Sequence, residues 1–398
     1  MEALRQKTRP QIQILLPFLL EVTSLAYKYF KNWTLLSSSL VLKSRRRLGN
    51  NNKEETQMNA KLLVAATMLL GASAMAQVTF KGNMATSIQA LSGEKADNDN
   101  ATPDGKSVHH VDQNSGAFIF DQGRFGITGG TEKVAFAARL NYSPGSDGSD
   151  LNIDEANVTY KTEMFNFTFG RIASALGLES STFGKNATYT RSITSKKLVV
   201  GANSDGIALS KDLGMATVGL SMTNRTISED VSDENKRKDM ELTATGKAMD
   251  SKLEWFAGYL MGEDGETTFT KHTNMNLWAM YSINDAINAG LEYTSYGKKI
   301  GEGDDMTATG TVIYATYGMD MHTFALRYEM VSDDDNLAAT GAKKHTSITL
   351  ADKMKLEDNL HLFAEYRMNG ADEDIFADKD GEAKNSGTAM TLGLVATF

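Results

Sequence analysis

Long runs that alternate strictly between apolar and polar residues recur along this chain, and each one demands a sheet with two unlike faces. In HTFALRYEMV, His322, Phe324, Leu326, Tyr328 and Met330 share one side, while Thr323, Ala325, Arg327, Glu329 and Val331 share the other. LHLFAEYRM sets Leu360, Leu362, Ala364, Tyr366 and Met368 against His361, Phe363, Glu365 and Arg367. LEWFAGYLM aligns Leu253, Trp255, Ala257, Tyr259 and Met261. Strands of a soluble sandwich usually run about five or six residues. Runs of ten to thirteen, as here, suffice to cross a bilayer when tilted by about 45°. Proline cannot donate to a sheet ladder, and only Pro103 and Pro144 occur beyond residue 76, both in polar Gly/Asp/Ser-rich stretches.

The pattern predicts sixteen strands, at 78–90, 116–128, 131–143, 152–162, 164–171, 203–211, 215–225, 238–249, 251–262, 271–283, 286–297, 305–318, 321–332, 343–355, 358–369 and 386–398. Short connections such as GGT, KDLGM, IND and GMD alternate with eight long ones, several of them acidic. An even strand number with short turns on one rim and long loops on the other predicts an all-β fold, a transmembrane antiparallel up-and-down β-barrel with both termini on the short-turn side.

The stretch MNAKLLVAATMLLGASAMA, 58–76, reads as a secretory signal, with a charge at Lys61, an apolar run and small residues before a cut between Ala76 and Gln77. Its apolar run is too short to span a bilayer as a helix. Three divisions follow: 1–57 as an upstream extension absent from the mature protein, arising from a misplaced start, 58–76 as the signal peptide, and 77–398 as the barrel. A cytoplasmic leader removed with the signal is the alternative for 1–57. Of the 41 Lys+Arg and 50 Asp+Glu, 11 and 4 precede Gln77, which leaves 30 and 46 and a net charge of −16. That balance argues against a nucleic-acid partner. The absence of cysteine excludes disulfides, thiolate metal sites and a cysteine nucleophile.

TAMTLGLVATF ends the chain with Thr388, Met390, Leu392, Leu394, Ala396 and Phe398 on one face. A terminal Phe preceded by alternating apolar residues resembles the assembly signal of bacterial outer-membrane barrels. GRFGITGGTEKVAFAARLNY (123–142) and DEANVTYKTEMFNFTFGR (154–171) resemble the general trimeric porins of Gram-negative bacteria, through Arg124, Gly126 and Gly129, then Glu155-Ala156 and Gly170-Arg171. ANSDGIALSKDLGMATVGLSM resembles a downstream hairpin of that family, with Ala208 where an aromatic is usual.

The resemblance implies a homotrimer in which the third long loop folds into the barrel and narrows it opposite a ladder of arginines. Here that loop is IASALGLESSTFGKNATYTRSITSKKLVVGAN, the longest of the eight. Its STFGK stands in place of the family's P-E-F-G-G turn, keeping Phe183 and Gly184 but bringing Lys185; Glu179 is its only carboxylate, beside Lys185, Arg191, Lys196 and Lys197. Alternation points Arg124 and Arg139 inward. It points Arg171 outward, in step with Phe165, Phe167 and Phe169, so the inward place that the resemblance implies needs a bend at Gly170. Asp154, where relatives carry another arginine, and Glu155 complete the expected wall group.

Adjacent His109 and His110 lack the spacing for one tetrahedral ion, so neither a metal nor another cofactor is expected. Neither G-x-S-x-G nor H-E-x-x-H occurs, and no enzyme is expected. The expected function is passive diffusion of small hydrophilic solutes and ions across the outer membrane, reached by export through the periplasm. The implied partners are outer-membrane lipid, lipopolysaccharide and the barrel-assembly machinery. A closed structural, adhesion or surface-receptor barrel and a substrate-specific channel are the alternatives. The ion preference stays open, because the acidic total favours cations at the mouths whereas the arginines and loop lysines favour anions inside.

Overall fold

The computed structural model describes residues 78–92, 118–145, 148–199, 203–224, 238–264, 270–335, 337, 341–377 and 383–398. Residues 1–57, the expected signal with its cut between Ala76 and Gln77, and His109–His110 lie outside the described residues. The strands are β1 (Thr79–Ser92), β2 (Phe118–Gly130), β3 (Val134–Gly145), β4 (Gly148–Lys161), β5 (Asn166–Ile172), β6 (Ser204–Asp212), β7 (Ala216–Thr223), β8 (Asp239–Ala248), β9 (Leu253–Asp264), β10 (Thr270–Ser282), β11 (Ile287–Ile300), β12 (Asp305–Met319), β13 (His322–Asp333), β14 (Lys344–Glu357), β15 (Leu360–Ala371), β16 (Phe376–Ala377), β17 (Ala383–Lys384) and β18 (Ser386–Thr397).

Among the described residues, β1 to β15 and β18 form a closed barrel of sixteen strands in which each pairs antiparallel with its sequence neighbours. Each predicted strand is present, with ends displaced by a few residues. Tight turns set the short connections: only Asp320 and Met321 separate the paired residues Met319 and His322, and Asp320 takes φ 53, a left-handed conformation that Asp tolerates better than most side chains. The barrel closes where β1 meets β18. There the Gly82 N–H donates to Phe398 O at 2.9 Å and the Phe398 N–H donates to Gly82 O at 3.0 Å. A side chain at position 82 would collide with the Phe398 ring, so the glycine lets the terminal residue lie flat across the seam.

The two faces are inverted relative to a soluble sheet. On β13, Phe324, Leu326 and Met330 are exposed, whereas Arg327, Glu329 and Asp333 are buried. On β14, Ile348 and Leu350 are exposed and Ser347 and Thr349 are buried. A closed sheet with an apolar outside satisfies every ladder hydrogen bond internally and presents hydrocarbon-compatible side chains, which is what a bilayer requires of it.

One addition was not legible in the alternation. The connection after β15 carries the two-residue strands β16 and β17, paired as a hairpin. Ile375 and Phe376 are buried there with Ala342 from the connection after β13, so a small apolar cluster ties two rim connections together.

Candidate functional site

The connection after β5 is described over residues 173–199. It is rich in Ser and Thr, whose hydroxyls bond to nearby backbone, and it forms a chain of turns ending in a single π-helical turn, Thr194–Leu198. Part of its backbone finds partners within the segment, as at Thr182, Lys185, Ser192, Ser195, Lys196 and Val199. Other groups go to the buried polar rows of the barrel strands.

Four glutamates on four strands accept from six of its backbone N–H groups. Glu241 on β8 accepts from the Ser174 hydroxyl at 2.7 Å and the Ala175 N–H at 2.9 Å. Glu292 on β11 accepts from the Leu178 N–H at 2.9 Å. Glu329 on β13 accepts from the Ile193 and Thr194 N–H groups at 3.0 and 2.5 Å. Glu365 on β15 accepts from the Tyr189 and Thr190 N–H groups at 2.9 and 3.1 Å and from the Thr190 hydroxyl. On β10, Asn276 accepts from the Gly177 N–H at 3.0 Å and Asn274 donates to Leu198 O at 2.6 Å. From β14, Lys353 donates to Gly184 O at 2.6 Å. Hydrogen bonds to charged groups contribute about 1.5–3 kcal/mol each, so the set offsets a large part of the cost of ordering the segment.

Glu179, the segment's only carboxylate, sits at its centre. It pairs with Arg327 of β13 at 2.7 Å, both side chains being almost fully buried. It also accepts from the Ser192 N–H at 2.7 Å and hydroxyl at 2.6 Å. Burial works against its charge, but the Arg327 guanidinium and the Ser192 bonds outweigh burial and hold the carboxyl below the usual range. Arg327 further donates to Thr190 O at 2.6 Å and Thr188 Oγ1 at 3.0 Å.

The wall group divides. Arg124 on β2 ion-pairs with Asp154 at 3.0 Å, donates to Asn141 at 3.0 Å, and reaches Ser181 at 3.2 Å and Thr182 at 2.5 Å in the STFGK turn. A bulge opposite Arg139 and Leu140 leaves Asp154 without a cross-strand partner and turns it to the same side as Glu155. Arg139 therefore meets both carboxylates, at 3.4 and 3.6 Å. Phe183 stacks near Tyr189 at 4.8 Å between ring centroids, beside Ala85, Phe363 and Val395. Gly184 takes φ +83, and a Cβ there would press on Val395 at 3.0 Å. Lys185 is exposed.

Arg171 does not join this group, which corrects the inward placement. Gly170 does depart from strand geometry, at φ +117, yet the register holds: Arg171 lies opposite Ala156 and Asp205, in the row that continues to Phe169 and Ile207 on the apolar side. Its charge is met there by Asp205 at 3.7 Å.

The residues that alternation alone did not single out are Glu241, Glu292, Glu329, Glu365 and Arg327. The register holds a signal for the glutamates. Glu292 lies between Trp278 and Val312, Glu365 between Ala351 and Thr391, Glu329 between Val312 and Ser347, and Glu241 between Ser221 and Leu260. A carboxylate in a buried row with no cation across either neighbour must be satisfied from elsewhere in the chain.

Residues 77–398 match the pattern of the OmpL-like "beta-barrel porin-2" family. The chain belongs to this family. The porin is an outer-membrane channel protein, and its class of activity is passive diffusion through a barrel. Its fold is similar to that of the anion-selective porin from Comamonas acidovorans, at TM-score 0.58 and 13% identity over 81% of this chain and 100% of the other. It is also similar to the channel DcaP of Acinetobacter baumannii, at 0.57 and 14% over 82% and 98%. The trimer form of in-vitro folded OmpT from Vibrio cholerae aligns at 0.55 and 14% over 81% and 99%. No curated protein sequence matches the porin.

Proposed function

We propose that the segment 173–199 crosses the barrel on its inner side and narrows the water-filled path, so that small hydrophilic solutes and ions diffuse past it with no chemical step. The carrying observation is the spread of its anchors: Glu241, Glu292, Glu329 and Glu365 come from four strands and all stand in rows opposite the exposed apolar ones. A sixteen-stranded barrel leaves an aqueous lumen that side chains cannot fill. The free path then runs beside β3 to β7, whose polar rows carry small neutral residues such as Ala137, Thr159, Thr168, Ala208 and Ser221. Arg124, Arg139, Asp154 and Glu155 border it where β2 to β4 meet the STFGK turn. Arg171 takes no part.

The porin is further proposed to be exported by cleavage between Ala76 and Gln77, handed to the assembly machinery through Phe398, and embedded as a homotrimer among lipid and lipopolysaccharide. The trimer form of OmpT supports the last point by likeness of fold only. Single-channel recording in a planar bilayer tests the reading. Stepwise currents in groups of three that grow when Glu179→Gln and Glu365→Gln are combined are expected. Silence from a folded barrel would retire the channel, and currents unchanged by the double substitution would retire the constriction.

A further inference from the structure

The negative charge of the loops leaves the sign of the pore's preference undecided from composition, but the geometry separates the charges that face water from those that do not. Glu179 of the segment and the four glutamates that accept from it are buried, at 7% for Glu179, 6% for Glu241, 0% for Glu292, 1% for Glu329 and 5% for Glu365 exposure, whereas Asp121 is half-buried. Each accepts hydrogen bonds from backbone N–H groups, hydroxyls or Arg327, so each is held as the acceptor of a local cluster of donors. Asp121 is bound by the Tyr189 hydroxyl at 2.5 Å, and Asp154 and Glu155 are shared with Arg124 and Arg139.

The cations divide the other way. Lys185, Lys196 and Lys197 of the segment are exposed, and among the described residues no carboxylate forms an ion pair with any of them. Arg191 bonds only to Ser195, at 2.6 Å to its carbonyl and 3.0 Å to its hydroxyl, bonds that leave its charge uncompensated by an ion pair. Lys196 stands within electrostatic reach of Arg367, Arg327 and Arg191 and of Glu179, which is already committed to Arg327. A mobile ion entering the narrow part meets open ammonium groups on the segment and, on the facing wall, small neutral side chains beside the mutually paired Arg124, Arg139, Asp154 and Glu155.

From this separation we propose that the pore prefers small anions, inorganic ions and solutes bearing carboxylate or phosphate groups, with Lys196 and Lys197 as the residues that set the preference and Lys185 a lesser contributor. The inference rests on the segment lying in the conducting path, as proposed above. A local potential of one thermal unit changes counter-ion concentration about threefold, so two unpaired lysines in a narrow aqueous path are enough to set the sign. The described acidic rim residues Glu302, Asp304, Asp334 and Asp335 are exposed to water, where at physiological ionic strength fields fade over about 8 Å.

The test is the zero-current potential of the protein purified from outer membranes, in a planar bilayer under a tenfold potassium chloride gradient. The expected sign is that of chloride permeating at least about twice as readily as potassium. Lys196→Glu with Lys197→Glu should reverse it, Lys196→Arg with Lys197→Arg should retain it, and Lys211→Gln on the outer side of β6 should leave it unchanged. Both lysines are exposed, so folding is not at risk, and a heat-modifiable electrophoretic shift checks it. Stepwise currents with a potassium preference, or a chloride preference indifferent to both double substitutions, would overturn the inference while leaving the channel intact. Absence of current from folded protein would overturn the channel reading and this inference with it.

Discussion

The two sides of this barrel solve the same structural problem with opposite residues. From β8 through β15 the buried rows carry Glu241, Asn274, Asn276, Glu292, Arg327, Glu329 and Glu365, each engaged with the segment after β5. From β5 to β7 the corresponding positions are Thr168, Ala208, Ser210 and Ser221, which satisfy themselves through short contacts such as Thr159 to Thr168 at 2.8 Å on β4 and β5. The contrast teaches that a charged inner row is here a docking rail, and a plain one is the side left open.

The largest expected effect follows from breaking the rail at its centre. Arg327→Met strands Glu179 in a buried site, and loss of one partner of a buried pair costs about 3–5 kcal/mol. Proteolysis within 173–199 should accelerate sharply and single-channel conductance should rise. Glu365→Gln keeps shape but weakens three donor contacts, for about 1–3 kcal/mol and intermittent, noisier current steps. Gly310→Ala on β12 sets a methyl against the buried Thr194, at a cost of about 1–3 kcal/mol read as a lower thermal midpoint. On the plain side Ser221→Ala should change stability by no more than about 0.5 kcal/mol and leave conductance as it was. A large effect there would erase the distinction between the two sides.

Acid should act on the rail alone. Glu179 keeps its proton affinity below the usual carboxylate range in the folded protein, so the unfolded chain binds more protons as pH falls toward that range. Its contribution is therefore complete above about pH 4.5 and is lost as pH falls through the lower folded value. Glu179→Gln should therefore remove the part of any acid-induced unsteadiness in conductance that sets in as pH falls below about 4.5. Alkali acts on Lys196, which is open to lumen water although protein surrounds it at longer range. That enclosure and the Arg367, Arg327 and Arg191 guanidiniums, against Glu179, lower it to about 8. The anion preference should thus weaken as pH rises through about 8, tracked by the zero-current potential.

Much of the barrel was readable because alternation is a local property: Phe324, Leu326 and Met330 declare their side of β13 without reference to any distant residue. The wall pair of Arg124 and Asp154 was also within reach, since β2 to β4 follow one another in the chain. The anchors of the segment were not, because Glu365 meets Tyr189 across 176 positions and Arg327 meets Glu179 across 148. No periodicity reports such a pairing. Arg171 misled for a different reason: the family resemblance implied an inward place through a bend at Gly170, but row membership is fixed by the ladder, and the ladder continued through the bend as alternation had it.

The seam between β1 and β18 also carries a consequence for timing. The segment precedes every strand that supplies its glutamates, and Phe398, the last residue, closes the wall around it. During biogenesis the anchors of the segment on β11, β13 and β15 become available only after those on β2 and β8, and its proposed inward place is completed when the last strand zips shut. Contacts of such long sequence separation form late. On the proposed inward place of the segment, the step that commits this protein to its native state is the enclosure of its own loop.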